Sequence, residues 1–435
     1  MTDFDRLTRI SRDEVTAIQN ERLARQVAYE YERVPFYKES LDAAGVSPGD
    51  IRGVEDLHKL PFTHKYDIQD RFPWGLCAVE PKDIARIHSS SGTTGLPVSH
   101  FYTKSDMANW GECMARVMAT AGATSEDISQ IAFRYSLFTG AFGHHLGAET
   151  LGAAIIPTSS GQTDRQIFMM QSYGTTVLHC TSSYSVVVAE KMEEMGVDGR
   201  KLPLRLGMHG AEPMSNAVRD EVQERLGYRV ARDYGLTELG GCGVSGECEA
   251  QDGYHINEDH FYTEVIDPET GVALPEGEIG ELVFTTLAKE GTPVLRYRSR
   301  DLASLTREPC ACGRTTMRHS LILGRTDDML IVSGVNFFPT QVESVLMSFE
   351  HVAPHYLIRV SMVERREVAK VECELAPEAW AAMDDQARAS LQAGVCQKLR
   401  DKLGFKMDCA FLEPFSLPRS EGKTKHVIDE RTEAR

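Results

Sequence analysis

This chain of 435 residues has no apolar run of membrane-spanning length. Its opening residues, Met1-Thr2-Asp3-Phe4-Asp5-Arg6, lack the apolar centre of a secretory signal. No membrane partner and a cytoplasmic location are therefore expected. Positive charge is in deficit. Against 64 acidic residues stand 47 lysines and arginines, a net charge of −17, which argues against nucleic acid or an anionic lipid surface as partner. Cysteine is too sparse for a disulfide scaffold: ten in a long acidic chain read as reduced thiols, with metal binding open where they cluster. No internal repeat or low-complexity segment occurs. The remaining composition, 42% hydrophobic and 26% charged, is that of a soluble globular protein, long enough for a large domain and a smaller one.

What the chain does have is Ser89-Ser90-Ser91-Gly92-Thr93-Thr94-Gly95, with no side chain larger than threonine. Glycine lets backbone N–H groups turn inward, so such a loop can wrap an anion; a flexible surface loop is the alternative. Pro97 and the β-prone run Val98–Thr103 follow, so the loop is expected to join two strands. It is not a Walker loop, because no G-K-[ST] follows.

Residues 14–45 read as helices that break near Val34-Pro35. From about 85 to 230, β-prone runs (Ile131–Phe133, Ala153–Pro157, Thr176–His179) alternate with helices (Thr163–Gln171, Ser183–Met195), implying a layered α/β domain with a largely parallel sheet. Residues 255–305 turn to hairpins. The expected fold class is α/β: a large N-terminal layered domain over residues 1–324, with mixed sheets and a β-rich subdomain, and a small mobile α+β domain over 325–435. In the latter a helix carries Val342, Val345, Leu346 and Phe349, and a strand alternates Ala369, Val371, Cys373 and Leu375 with charged residues. A second helix sets Leu391, Val395, Leu399 and Leu403 on one face.

After the hydroxyl loop come, in order, Gly210-Ala211-Glu212-Pro213, Asp233-Tyr234-Gly235-Leu236-Thr237-Glu238, Tyr297-Arg298-Ser299-Arg300-Asp301, Gly324-Arg325-Thr326-Asp327-Asp328 and Glu421-Gly422-Lys423. The ordered set resembles the acyl-adenylate-forming superfamily of acyl-CoA synthetases, luciferase-like enzymes and peptide-synthetase adenylation domains, over residues 20–430. Within it the chain looks most like the phenylacetate–CoA ligase family, through Tyr135-Ser136-Leu137-Phe138-Thr139-Gly140, Glu258-Asp259-His260-Phe261 and Gly334-Val335-Asn336-Phe337-Phe338-Pro339.

The resemblance implies an enzyme that joins a carboxylic acid to AMP and then to CoA. A carboxylate is a poor electrophile, so ATP first converts it to a mixed anhydride, a step driven by positioning and charge neutralisation. By resemblance Ser89, Ser90, Ser91, Gly92, Thr93, Thr94 and Gly95 would hold the β- and γ-phosphates. Glu238 would bind Mg²⁺ and Thr237 the α-phosphate. Tyr234 would lie on the adenine, opposite a wall of Gly210, Ala211 and Glu212, with Asp233 at the base edge and Pro213 and Gly235 also at the nucleotide. Asp301 suits both ribose hydroxyls, and Arg325 is placed for ribose or phosphate. Lys423 would bridge the acid carboxylate and the α-phosphate. Asp327 is the expected hinge of a rotating small domain, and Ser333, Gly334 and Val335 the lining of the CoA channel. A homodimer is the expected assembly.

Two departures stand out. Leu96 follows the last glycine where relatives often carry lysine, so one cation is missing near the phosphates. Cys310-Ala311-Cys312, with Cys248 and His255, could form a closed tetrahedral Zn²⁺ shell, structural rather than catalytic; Cys242 is a substitute ligand, and four unrelated reduced side chains are the alternative. By position Tyr135, Phe138, Ala141, Phe142, His209, Gly210 and Leu239 should surround the acid, and aromatic with small residues suits a flat aryl group. Phenylacetate leads by resemblance, with benzoate-, anthranilate- or indoleacetate-type acids open. Tyr135 and His209 either read a polar ring substituent or satisfy each other. A carrier protein is the alternative acceptor, although the chain reaches Arg435 without a fused carrier domain. A deazaflavin-adenylating member and a non-catalytic nucleotide sensor are the other classes weighed, and the sensor is disfavoured by the presence of Glu238 and Lys423.

Overall fold

The computed structural model describes residues 3–90, 96–363, 366–420 and 424–432. The chain forms two compact units: Met1–Thr181 with Arg200–Ala211 and Tyr228–Leu321, and Ser182–Gly199 with Glu212–Gly227 and Ile322–Arg435.

In the first unit the helix Arg12–Arg33 opens on a capping box, Ser11 with Glu14, and stops at Val34, where Pro35 starts the next helix, Pro35–Ala44. Strands β1 (Arg86–Ser89) and β2 (Ser99–Tyr102) pair antiparallel with Ser89 opposite Ser99, so the hydroxyl loop does join two strands. Its base is pinched by Ser90 N–H to Val98 O and Val98 N–H to Ser90 Oγ, both 2.9 Å. Ser91–Gly95 lie outside the described residues.

The central sheet contains β3 (Ile128–Ile131), β4 (Ala154–Ile156), β5 (Val177–Thr181), β6 (Leu206–Gly210), β7 (Arg229–Leu236), β8 (Gly241–Glu247) and β9 (Tyr254–Ile256). Strands β10 (Phe261–Ile266), β11 (Gly280–Thr286) and β12 (Tyr297–Ala303) pair antiparallel in a separate sheet. The short β13 (Leu305–Thr306) and β14 (Arg318–His319) return to the central one, whose order is β13-β14-β9-β8-β7-β6-β5-β3-β4. It is parallel from β4 to β7 and antiparallel from β7 onward, so the largely parallel expectation holds for half of it. The switch has a local cause. The helices Gly140–Leu151 and Thr163–Tyr173 connect strands of the parallel half, whereas β7 turns into β8 through the single 3₁₀ turn Thr237–Leu239 and Gly240 at φ 92°. Met114, Val117 and Met118 from helix Lys104–Thr120 pack with Ala148, Val177, Leu206, Met208 and Ala231 as the core beneath the sheet, each such side chain contributing roughly 1.5–3 kcal/mol where large and fully buried.

The second unit has the α+β character read from its periodicities. Strand Val352–Val363 pairs antiparallel with Arg366–Leu375, placing Ile358 opposite Val371; Val427–Asp429 and Asp408–Leu412 add parallel edges. Ala369, Val371, Cys373 and Leu375 are buried, under Val342, Val345 and Leu346 of helix Pro339–Leu346 and Val395, Leu399 and Leu403 of helix Asp385–Leu403, with Leu391 and Phe349 packed at the edge.

Candidate active site

The carboxyl ends of parallel strands are where α/β sheets bind ligands, and β6 and β7 end in the expected motifs. Gly210 closes β6, followed by Ala211 at φ 72°, a left-handed conformation that is strained for a residue with a Cβ. A Cβ on Gly210 would lie 2.7 Å from Asp233 Oδ1, so a larger residue here would displace that carboxylate. Asp233 is buried, with Oδ1 3.4 Å from His144 Nε2. Next along β7, the Tyr234 hydroxyl donates to Asp301 Oδ2 at 2.6 Å, and its ring stacks on Phe284 and meets His319 edge-on. The pair fixes the carboxylate on β12, whose backbone N–H donates to Ser299 Oγ at 3.1 Å. Gly235 crosses so close to β8 that a Cβ would run into Gly241 O and Cys242 Cα. Then comes the turn carrying Thr237, Glu238 and Leu239, all buried. Glu238 is 8% exposed, and among the described residues its carboxylate has no hydrogen-bond or ion-pair partner. A buried carboxylate without a partner suits a hard divalent cation.

The residues expected around the acid gather only in part. Tyr135 and Phe142 meet edge-on with centroids 5.2 Å apart, and Ala141 lies buried beside Ile131 and Phe133 with Tyr135 packed against them. Phe138 is half-buried and Leu239 buried. His209 is a correction to the idea that it and Tyr135 satisfy each other. Tyr135 OH lies 3.0 Å from His145 Nδ1, whereas His209, wholly buried, has Nε2 3.0 Å from Tyr228 OH and Nδ1 3.2 Å from Cys180 O. Burial pushes the His209 pKa down to about 4, so the ring is neutral. Several neighbours escaped the sequence reading. His144 stacks on Phe133 and sets Nδ1 3.0 Å from His179 Nδ1, and Arg86 lies over the Phe142 ring at 4.8 Å. The Gly140-Ala141-Phe142-Gly143-His144 run was the available signal.

In the second unit the Glu212 carboxylate is taken: Oε1 accepts from Ser183 N–H at 2.6 Å and Oε2 from Thr424 N–H at 3.0 Å. Pro213 is exposed. Arg325 is paired with the expected hinge residue, its Nε 2.9 Å from Asp327 Oδ1. Ser333, at φ 52°, gives its N–H to Glu367 Oε2 at 2.7 Å; Gly334 has φ 80° and open space around it, and Val335 pairs with Val332. Lys423 lies outside the described residues.

The thiol cluster assembles in the first unit. Metal-ligating atoms of Cys248, His255, Cys310 and Cys312 all lie within 4.8 Å of one another. Cys248 Sγ is 3.6 Å from Cys310 Sγ, and Cys312 Sγ is 3.4 Å from His255 Nε2. His255 Nδ1 lies 2.9 Å from Thr316 Oγ1, which fixes the ring with Nε2 toward the thiols. Burial acts to raise the Cys312 thiol, but hydrogen bonds from His255 and Arg314 bring it down to about 5, while burial beside its fellow thiols pushes Cys248 up to about 12. Cys242 is not a substitute ligand: its sulfur groups with His144 and Asp233 instead.

The AMP-binding enzyme family matches residues 12–287, and the AMP-binding enzyme C-terminal domain matches residues 334–431. The phenylacetate-coenzyme A ligase of Thermus thermophilus is 45% identical over 438 residues, covering 98% of each chain. That of Escherichia coli is 42% identical over 436 residues, 99% of this chain and 98% of its own. The chain belongs to the phenylacetate–CoA ligase family. It is, accordingly, an AMP-forming acid–CoA ligase. A solved 2-hydroxyisobutyryl-CoA ligase in its postadenylation state superposes with a TM-score of 0.92 at 25% identity, over 98% of this chain and 92% of that one. The AMP-binding match contains the hydroxyl loop, Tyr234 and Glu238 of this family member, and the C-terminal match contains Gly334 and Lys423.

Proposed function

We propose that this protein activates an aryl carboxylic acid, phenylacetate foremost, as its acyl-adenylate and passes the acyl group to CoA. The observation that carries the site assignment is the buried Glu238, without a partner among the described residues, in the turn that follows the Tyr234–Asp301 pair. A carboxylate oxygen of the acid attacks the α-phosphorus of ATP in line; the bond to the β-phosphate bridging oxygen breaks, and pyrophosphate leaves. The CoA thiolate then attacks the acyl carbon, and AMP departs with the anhydride oxygen.

Ser89–Gly95 hold the leaving pyrophosphate, and Thr237 bonds the α-phosphate. Tyr234, Gly210, Ala211, Asp233 and Gly235 enclose the adenine, and Asp301 takes the ribose hydroxyls. Lys423 supplies the cation between carboxylate and α-phosphate, and Arg325 reaches ribose or phosphate. Tyr135, Phe138, Ala141, Phe142 and Leu239 face the aryl group. Mg²⁺ fits at Glu238, where it would neutralise phosphate charge. The small domain over 325–435 turns about Asp327 between the two steps, bringing Ser333–Val335 to the CoA channel. A structural Zn²⁺ in the Cys248–His255–Cys310–Cys312 shell, a homodimeric assembly and a cytoplasmic site complete the reading. Zinc is supported by a closed set of three sulfurs and an oriented imidazole; elemental analysis finding less than stoichiometric metal in purified protein removes it.

The functional test is an aryl-acid panel assayed for AMP release with and without CoA. Phenylacetate should give the highest acid- and CoA-dependent rate. Release that no acid stimulates would overturn the reading, and stimulation independent of CoA would redirect it to carrier loading.

A further inference from the structure

The chain on both sides of Lys423 is tied to carboxylates. Before it, Arg419 forms a two-oxygen pair with Glu374 (Nη1–Oε1 2.9 Å, Nη2–Oε2 2.8 Å) and sets its Nε 3.1 Å from Glu190 Oε2. Glu374, almost wholly buried, also accepts the N–H groups of Phe415 (2.9 Å) and Leu417 (2.7 Å). Glu190 stands on helix Ser182–Glu194 and is engaged again by His355 Nε2 at 2.7 Å. After Lys423, the Thr424 N–H donates to Glu212 Oε2, while the other oxygen of Glu212 holds Ser183 N–H. Two residues on, His426 O accepts from Ile358 N–H at 2.8 Å and the chain enters the strand Val427–Asp429. Ser183, Glu212, His355, Arg419 and Thr424 line one cavity of 450 Å³, so both ties belong to a single locality.

We propose that Glu212 and Glu190 are positioning residues for Lys423, acting through the flanking residues Arg419 and Thr424 during acyl-adenylate formation and not during thioester formation. The inference rests on the ligase reading and on the assignment of Lys423. With both oxygens of Glu212 committed to backbone N–H groups, its role is to hold the segment rather than to wall the adenine. Charge and acceptor count both matter: a glutamine offers one acceptor oxygen, and its amide would present donors to a donor. Only the first step needs an ammonium beside the α-phosphate, because the second is attack by a thiolate on an already activated acyl group.

The experiment compares the parent protein with Glu212→Gln, Glu190→Gln and Thr424→Pro, the last of which deletes the Thr424 N–H that Glu212 Oε2 accepts. Two rates are read separately: phenylacetate-dependent ATP–pyrophosphate exchange, and thioester formation from supplied phenylacetyl-adenylate and CoA. Exchange should fall roughly tenfold in each variant, as expected for one lost charge-assisted hydrogen bond, with thioester formation at the parent rate. Equal loss in both rates, or no loss in exchange, overturns the proposal. Circular dichroism identifies a variant that fails to fold; Glu212→Gln and Thr424→Pro attack one bond from its two ends and Glu190→Gln a different tie, so the folded ones carry the test, and failure of all three to fold overturns it by making the ties structural. A parent enzyme without acid-dependent exchange would instead remove the ligase reading itself, a result independent of any difference among variants.

Discussion

At the scale of single residues, the Tyr234 hydroxyl donates to Asp301 Oδ2 and so helps to orient that carboxylate. Its ring keeps its packing on Phe284 and His319 when the oxygen is removed. Tyr234→Phe should therefore raise the KM for ATP about tenfold or more, since a hydrogen bond to a charged group contributes roughly 1.5–3 kcal/mol. The KM for the aryl acid should not move, and an unchanged ATP KM in steady-state kinetics would show that Asp301 is oriented by other means. His209 illustrates where residue-level reading ran short. Its neighbour Gly210 lies at the nucleotide motif, but alternate residues of a strand face opposite sides of the sheet, so adjacency in sequence put His209 into the core instead. The Cys248, His255, Cys310 and Cys312 cluster was legible for the opposite reason: residue type alone, without direction, is enough to suggest a tetrahedral shell.

Among elements, the β7–β8 crossing is the most demanding. Gly235 brings two backbones together where a single methyl group on it would strike main-chain atoms of Gly241 and Cys242, which cannot rotate away. Gly235→Ala should cost about 3 kcal/mol, the upper range for overpacking. It should appear as a lowered denaturation midpoint with unchanged m-value, and activity should drop with it because Tyr234 and Thr237 flank the crossing. A midpoint equal to the parent's would mean the strands separate without penalty. Elements with a clean period were readable in advance: the alternation at 369–375 and the four-residue spacing at 391–403 both became buried faces. The change from parallel to antiparallel at β7 was not. It depends on two successive glycines, Gly240 at φ 92° and Gly241 at φ 104°, reversing the chain after Glu238, and hydrophobic period does not report strand direction.

For the molecule as a whole, burial of imidazoles sets how stability depends on pH. His209 and His319 are both pushed down to about 4 by burial, whereas an unfolded chain protonates histidine near 6.5. Between those values the unfolded state holds the protons and the folded state does not. Their contribution is thus intact above about pH 6.5 and is lost as pH falls toward 4. Two protons taken up on unfolding give a slope of about 2.7 kcal/mol per pH unit at most. Burial drives His100 and His179 in the same direction. Urea titrations at several pH values should show the midpoint falling steeply below pH 6.5, and a midpoint flat down to pH 5 would contradict this. The order of the motifs was legible in the sequence, while this burial was not, because the groups that enclose a histidine come from distant positions in the chain, as Ser245 does for His319.

The buried carboxylate of Glu238, without a partner among the described residues, has a further consequence for turnover. On its proposed role as the Mg²⁺ ligand, the free protein should prefer the metal complex of ATP over the bare nucleotide, and the same preference should extend to the metal complex of pyrophosphate. Added magnesium pyrophosphate should therefore slow AMP release at a given ATP concentration, and a rate that ignores it would speak against a cation at this carboxylate.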